Sequence, residues 1–191
     1  MATKYPTINP GTFAHICNRA NGNEILFRRS EDYSDWMERI ETFILPVAEI
    51  HALCLMANHY HLVLRTLEST PHDLFSKQVN KLQSTYSKDY NYTYNRKGGL
   101  FMSPYNRIPI MNEAQLIWTI WYTHRNPLHH GVTENWQEWK YSSYLNYLSN
   151  DPGIITTNFC LDLFGGLEQM KAHHNMNAHA FRFDYRNFSL E

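Results

Sequence analysis

The chain has 191 residues, of which 43% are hydrophobic and 18% charged, and a formal net charge of −1. That length is enough for one substantial core with a tail, and the composition excludes a disordered chain. Balanced charge excludes a protein coated in basic residues for indiscriminate nucleic-acid binding. No uninterrupted apolar run approaches a membrane span, and the start Met-Ala-Thr-Lys-Tyr-Pro lacks a signal-peptide core, so a cytoplasmic location is expected. Cys17, Cys54 and Cys160 are widely separated and fit no zinc-knuckle spacing, which implies reduced, mostly buried thiols.

Thr12-Phe-Ala-His-Ile-Cys17 alternates as a first strand, and Asn18-Arg-Ala-Asn-Gly22 has turn chemistry. Ser30-Glu-Asp opens a helix with Ser30 as N-cap. Its apolar positions Trp36, Ile40, Phe43 and Ile44 recur at helical spacing, and Pro46 ends it. Glu49 to Met56 reads as a second strand, and Ala57-Asn58 as a tight turn into a third that contains His59-Tyr60-His61. Thr70-Pro-His-Asp starts a second helix running to about Tyr90, with Leu74, Phe75, Val79, Leu82 and Tyr86 inward. Lys97-Gly-Gly99 breaks it, and the segment to Ile108 is extended, with Pro104 marking an edge or bulge.

Asn112 caps a third helix, with Gln115 in the capping-box position, and Pro127 ends or bends it at Asn126. A short helix ends near Asn150, Asp151-Pro-Gly153 is a break, and the residues beyond it, with His173, His174 and His179, read as an accessory tail. The order β-α-β-β-α-β-α predicts an α+β fold: a small antiparallel sheet with helices packed mainly on one face. The expected division is a domain over 1–150 and a C-terminal tail over 151–191.

Side chains at i and i+2 of a strand leave the same face, so His59 and His61 are placed to converge on one metal ion while Tyr60, Leu62 and Leu64 enter the core. Tyr122 and Asn126 are i and i+4 on the third helix and project from one face about a turn apart. With that face over the His strand, two imidazoles and an amide oxygen bind a metal, and Tyr122 becomes a nucleophile. A phenol is a weak nucleophile near neutrality and is helped by a nearby cation, which also polarises a scissile phosphate. The ordinary alternative is that Tyr122 is one of 13 tyrosines, packed on a buried helix. Six bases (Lys77, Lys81, Lys88, Arg96, Lys97, Arg107) against two acids lie between Pro71 and Ile110, and an acidic stretch precedes them, so one side is suited to a polyanion.

Cys54-Leu-Met-Ala-Asn-His-Tyr-His-Leu-Val-Leu64, Gly99-Leu-Phe101 and Tyr122-Thr-His-Arg-Asn-Pro127 occur in one order and resemble the single-tyrosine HUH transposases of the insertion-sequence-200-like superfamily. Asn18-Arg19, Asn21-Gly22, Trp139 and Ser142-Ser143 resemble flanking signatures of the REP-associated tyrosine transposases. The resemblance covers about residues 10 to 150. It implies a ferredoxin-like (RRM-like) fold and metal-dependent cleavage and rejoining of single-stranded DNA through a 5′-phosphotyrosine intermediate. Carried onto this chain, Tyr122 matches the nucleophile, and His59, His61 and Asn126 match the metal ligands. Imidazoles also suit zinc or nickel; the expectation of Mg²⁺ or Mn²⁺ comes from the resemblance. It further implies a hairpin-forming single-stranded DNA partner and a monomer or homodimer. Lys77, Lys81, Lys88, Arg107 and Arg125 are candidate phosphate contacts, and Tyr105 and Trp118 candidate stacking residues. Ala57 departs from the proline usual before Asn-His, which changes turn stiffness but removes no functional group. The alternatives are a domesticated DNA-binding protein of the same fold and a metal-dependent phosphodiesterase that uses water.

Overall fold

A computed structural model describes residues 6–149 and 151–176; His179 lies outside the described residues. The core unit runs β1 (Phe13–Arg19), α1 (Ser30–Phe43), β2 (Ala48–Met56), β3 (His59–Thr66), α2 (Leu74–Thr93) and β4 (Asn106–Pro109). The sheet order is β2-β3-β1-β4 with every neighbouring pair antiparallel. This is the ferredoxin-like arrangement: each crossover helix joins two strands that sandwich a third between them.

Alternation along β3 sorts the two faces of the sheet. Tyr60 packs against Trp36 of α1 at 4.8 Å between ring centroids, and Trp36 meets Tyr86 of α2 edge-on at 5.0 Å. Helices α1 and α2 therefore cover the Tyr60 face with an aromatic core. His61 leaves the opposite face, where α3 (Glu113–His124) lies across β2 and β3.

Local chemistry explains most element ends. The start of α1 is capped by Asp32, whose Oδ2 accepts from the backbone N–H of Arg28 at 2.7 Å and of Arg29 at 3.0 Å. The expected Ser30 cap is thus displaced: a carboxylate two residues further on reaches both free N–H groups at the positive end of the helix. Asn112 caps α3 as expected, accepting from Gln115 N–H at 2.9 Å. Pro104 precedes the short edge strand β4, where a missing N–H disrupts no ladder.

After α3 come α4 (Asn126–His129), a 3₁₀ turn at Trp136–Glu138, α5 (Tyr144–Leu148), α6 (Asn158–Phe164) and α7 (Leu167–His174). The outer edge of β2 is closed by this segment. Leu55 N–H donates to the Tyr141 carbonyl at 2.9 Å, Ser143 N–H to Leu53 at 2.9 Å and Thr156 N–H to Ile50 at 2.7 Å. Covering an edge strand removes a template for unwanted pairing. Helix α6 packs on α3, and Cys160 and Met170 join the core. No helix among the described residues is long and apolar enough to cross a membrane.

Candidate active site

The two-residue turn Ala57-Asn58 sets where β3 begins. Its carbonyls are held by the segment after β1: Ala20 N–H donates to Asn58 at 2.8 Å and Leu26 N–H to Ala57 at 2.7 Å. Register then places Arg19 opposite His59 and Cys17 opposite His61, with His15 two residues further along the same face of β1. The Asn18 side chain, on the other face, donates to Gln83 Oε1 at 2.6 Å and to the Met102 carbonyl at 2.9 Å. Asn21 ties the Gly99 and Phe101 carbonyls, both at 2.9 Å. These two asparagines are scaffold, and they lock the loop before β4 onto the end of β1.

Helix α3 ends at His124. Arg125 turns the chain, and α4 restarts at Asn126 with Pro127 in its first turn, where a missing N–H is harmless. The restart directs Asn126 toward β3. Its Oδ1 lies 2.7 Å from His59 Nε2, and Asn58 Oδ1 lies 2.7 Å from His59 Nδ1. A neutral imidazole carries one N–H. With Nδ1–H donated to Asn58, His59 Nε2 and Asn126 Oδ1 face each other as two lone pairs. A cation satisfies both; with the proton on Nε2 instead, Nε2–H donates to Asn126 Oδ1 and the Nδ1 lone pair faces the exposed Asn58.

His61 is buried, and its Nδ1 lies 2.9 Å from His15 Nε2. Its Nε2 has no hydrogen-bond partner among the described residues. Burial pushes the His61 pKa well below its ordinary value, and neighbouring His15, His59, His130 and His129 reinforce the shift by charge repulsion. Burial lowers His15 to about 3. Both rings are neutral at pH 7, which leaves nitrogen lone pairs available to a metal. His15, Cys17 and His61 form a buried group whose ligand atoms all lie within 4.8 Å of one another and which could hold a metal ion.

The Tyr122 ring meets His61 edge-on at 5.7 Å. It stacks nearly parallel to Trp118 at 5.3 Å and to His129 at 5.1 Å. His130 approaches His59 at 4.6 Å between centroids. The four residues expected at the site from the sequence, His59, His61, Tyr122 and Asn126, therefore lie together on the α3 face of the sheet.

The expected phosphate contacts do not gather there. Lys77, Lys81 and Lys88 are exposed on α2, which packs on the opposite face. Arg107 donates to Ser76 Oγ of α2 at 3.2 Å and covers the Tyr105 ring. Arg125 is only 9% exposed, donates to the His174 carbonyl and lies over the rings of Trp121 and Trp136. A guanidinium held in that way is not presented to a phosphate, so Arg125 leaves the candidate set; the break after α3 turns it away from Tyr122. Tyr105 and Trp118 are buried. The cation nearest the His pair by register is Arg19, which is exposed and opposite His59.

No protein-family profile matches the sequence, and no curated protein matches it. Among solved structures, a REP-associated tyrosine transposase bound to a REP hairpin aligns with a TM-score of 0.66 over 78% of this chain and 87% of that one, at 15% identity. The fold is shared. At that identity the likeness concerns architecture, and the resemblance read from the sequence motifs is met at that level.

His15, Cys17, His129 and His130 escaped the sequence reading. His15-x-Cys17 carries the same i, i+2 signal as His59-x-His61 and was open to the same argument. His129-His130 follows Pro127, and its return to the site depends on the restart of the helix.

Proposed function

We propose that this protein is a metal-dependent single-stranded DNA endonuclease and strand transferase with Tyr122 as nucleophile, acting on hairpin-forming DNA. The observation that carries this reading is the convergence of His59 Nε2 and Asn126 Oδ1, 2.7 Å apart, next to a buried His61 Nε2 that no described group satisfies. His59, His61 and Asn126 would hold the ion, and Mg²⁺ or Mn²⁺ would supply charge stabilisation on the non-bridging phosphate oxygens. The fold shared with a transposase bound to a DNA hairpin supports a DNA partner.

In this reading the near-parallel rings of Trp118 and His129 pack on the Tyr122 ring and restrict the direction of the phenol oxygen. That oxygen forms a bond to phosphorus as the bond to the 3′-oxygen breaks. The phenol gives up a proton and the departing 3′-oxygen takes one. The phosphotyrosine ester conserves the bond energy, and attack by a 3′-hydroxyl rejoins the strand. Arg19, exposed opposite His59, offers a phosphate contact beside the reacting centre.

The test is incubation with a single-stranded hairpin DNA and Mn²⁺, followed by denaturing electrophoresis. The wild type should give a covalent protein–DNA adduct, and Tyr122→Phe should give none while still binding the DNA. An adduct that persists in Tyr122→Phe sinks the assignment. One observation favours a second reading: His130 beside His59 offers a base for an attacking water. Cleaved DNA released without any adduct would select that hydrolytic chemistry instead.

A further inference from the structure

We propose that His15 is a positioning residue for this centre: by accepting a hydrogen bond from His61 Nδ1–H, it holds His61 in the tautomer whose Nε2 is bare for a cation. The proposal rests on the reading of His61 as a ligand.

The geometry is specific. His15 Nε2 and His61 Nδ1 are 2.9 Å apart, the rings are within 2° of parallel and their centroids are 5.1 Å apart. That centroid separation is close to the N···N distance plus a ring radius at each end. The rings therefore lie edge to edge in a shared plane rather than face to face, with one linear hydrogen bond between them. Both are buried, and a neutral imidazole has a single N–H, so the bond holds one proton and has two forms. In one, His61 Nδ1–H donates to His15, and His61 Nε2 offers its lone pair to the site. In the other, His15 Nε2–H donates to His61, which then carries its own proton on Nε2 and cannot ligate.

In the first form His15 carries its own proton on Nδ1, a buried N–H that no described residue accepts, and in the second His61 Nε2–H is the buried donor left without an acceptor; a cation at His61 Nε2 selects the first. Register fixes the ring: His15 sits mid-strand on β1, paired with Val63 on one side and Ile108 on the other. The same bond bears on the neighbouring thiol. A cation drawn between His15, Cys17 and His61 would have to break the His15–His61 hydrogen bond, because each nitrogen is already directed at the other. His15 thus stands behind His61 as its orienting partner, the place a carboxylate or carbonyl takes behind many metal-bound imidazoles.

The experiment measures Mn²⁺ affinity from the free-ion paramagnetic resonance signal, with no DNA present. His15→Phe keeps an aromatic ring but removes the acceptor and should weaken binding about 10- to 100-fold. His15→Gln returns an acceptor near the position of Nε2 and should recover most of the loss, which a purely packing role would not predict. Long-range ¹⁵N–¹H spectra of the Mg²⁺-loaded wild type should show His61 protonated at Nδ1 and bare at Nε2. Equal Mn²⁺ affinity in wild type and His15→Phe overturns the positioning role and leaves the metal reading intact, whereas His61 protonated at Nε2 in the loaded protein overturns His61 as a ligand and the positioning role with it. A wild type that takes up no Mn²⁺ overturns the metal reading itself. If His15→Phe does not fold, the comparison is His15→Gln against His15→Asn, whose shorter amide does not reach His61; equal affinity in that pair overturns the role.

Discussion

His59 meets an oxygen at each ring nitrogen, and a neutral ring has a proton for only one of them. The Asn126 amide is the group that a bound cation would fix with its oxygen inward. Asn126→Ala should weaken Mn²⁺ binding at least about tenfold and slow adduct formation in proportion, with metal-free DNA binding unchanged. Asn126→Asp supplies a charged oxygen of similar reach and should bind Mn²⁺ more tightly than Asn126→Ala does. Equal affinity in the two variants would remove residue 126 from the ligand set. The His59, His61, Tyr122 and Asn126 cluster was legible because strand and helix periodicities are local and short. His15-x-Cys17 has the same spacing, yet its position under His61 depends on the β1–β3 register, a pairing over 46 positions in sequence that local spacing does not encode.

At the level of elements, α3 is buried round most of its circumference, with β2 and β3 on one side and α6 on another. On helical spacing Trp118, Tyr122, Arg125 and Asn126 would share roughly one face if α3 continued. The chain break at Arg125 divides that face: Asn126 returns to β3, and Arg125 joins α7. Only a helix end resolved in three dimensions distinguishes these outcomes, since Pro127 permits either a stop or a bend. Helix α7 is docked through a buried polar chain. His174 Nδ1 faces the Met170 carbonyl at 2.8 Å, His174 Nε2 lies 2.9 Å from His124 Nδ1, and His124 Nε2 lies 2.8 Å from Ser143 Oγ. That oxygen in turn accepts from Leu53 N–H on the edge of β2 at 2.8 Å. His174→Ala strands one nitrogen of His124 and opens a cavity, so stability should fall by about 2–4 kcal/mol. Urea denaturation measures this as a lower midpoint at unchanged slope. An unaltered midpoint would mean that α7 adds nothing to the core.

Across the whole molecule, the sheet separates two kinds of interior. The α1–α2 face is filled by aromatic and aliphatic packing, whereas the α3 face buries histidines, among them His15, His61, His124 and His174. None of these four has a carboxylate among the groups that move its pKa, and burial is the largest cause for each and holds the ring neutral. In the unfolded chain each ring takes up a proton below about pH 6.5. The folded protein resists: His15 is lowered to about 3 and His174 to about 4, and His61 and His124 lie well below their ordinary value. The unfolded state therefore binds more protons than the native state throughout the interval from 6.5 down to 4. Stability must fall as pH drops through that window and return as pH rises, by up to about 1.4 kcal/mol per pH unit for each ring. Urea midpoints measured between pH 7 and pH 4 should show this decline. His174→Gln removes one of the four protons from the linkage, and its stability should fall less steeply with acid than that of the wild type, a difference that grows to about 3 kcal/mol by pH 4. Parallel pH profiles for the two proteins would mean that the His174 ring is already charged inside the fold, or is open to solvent.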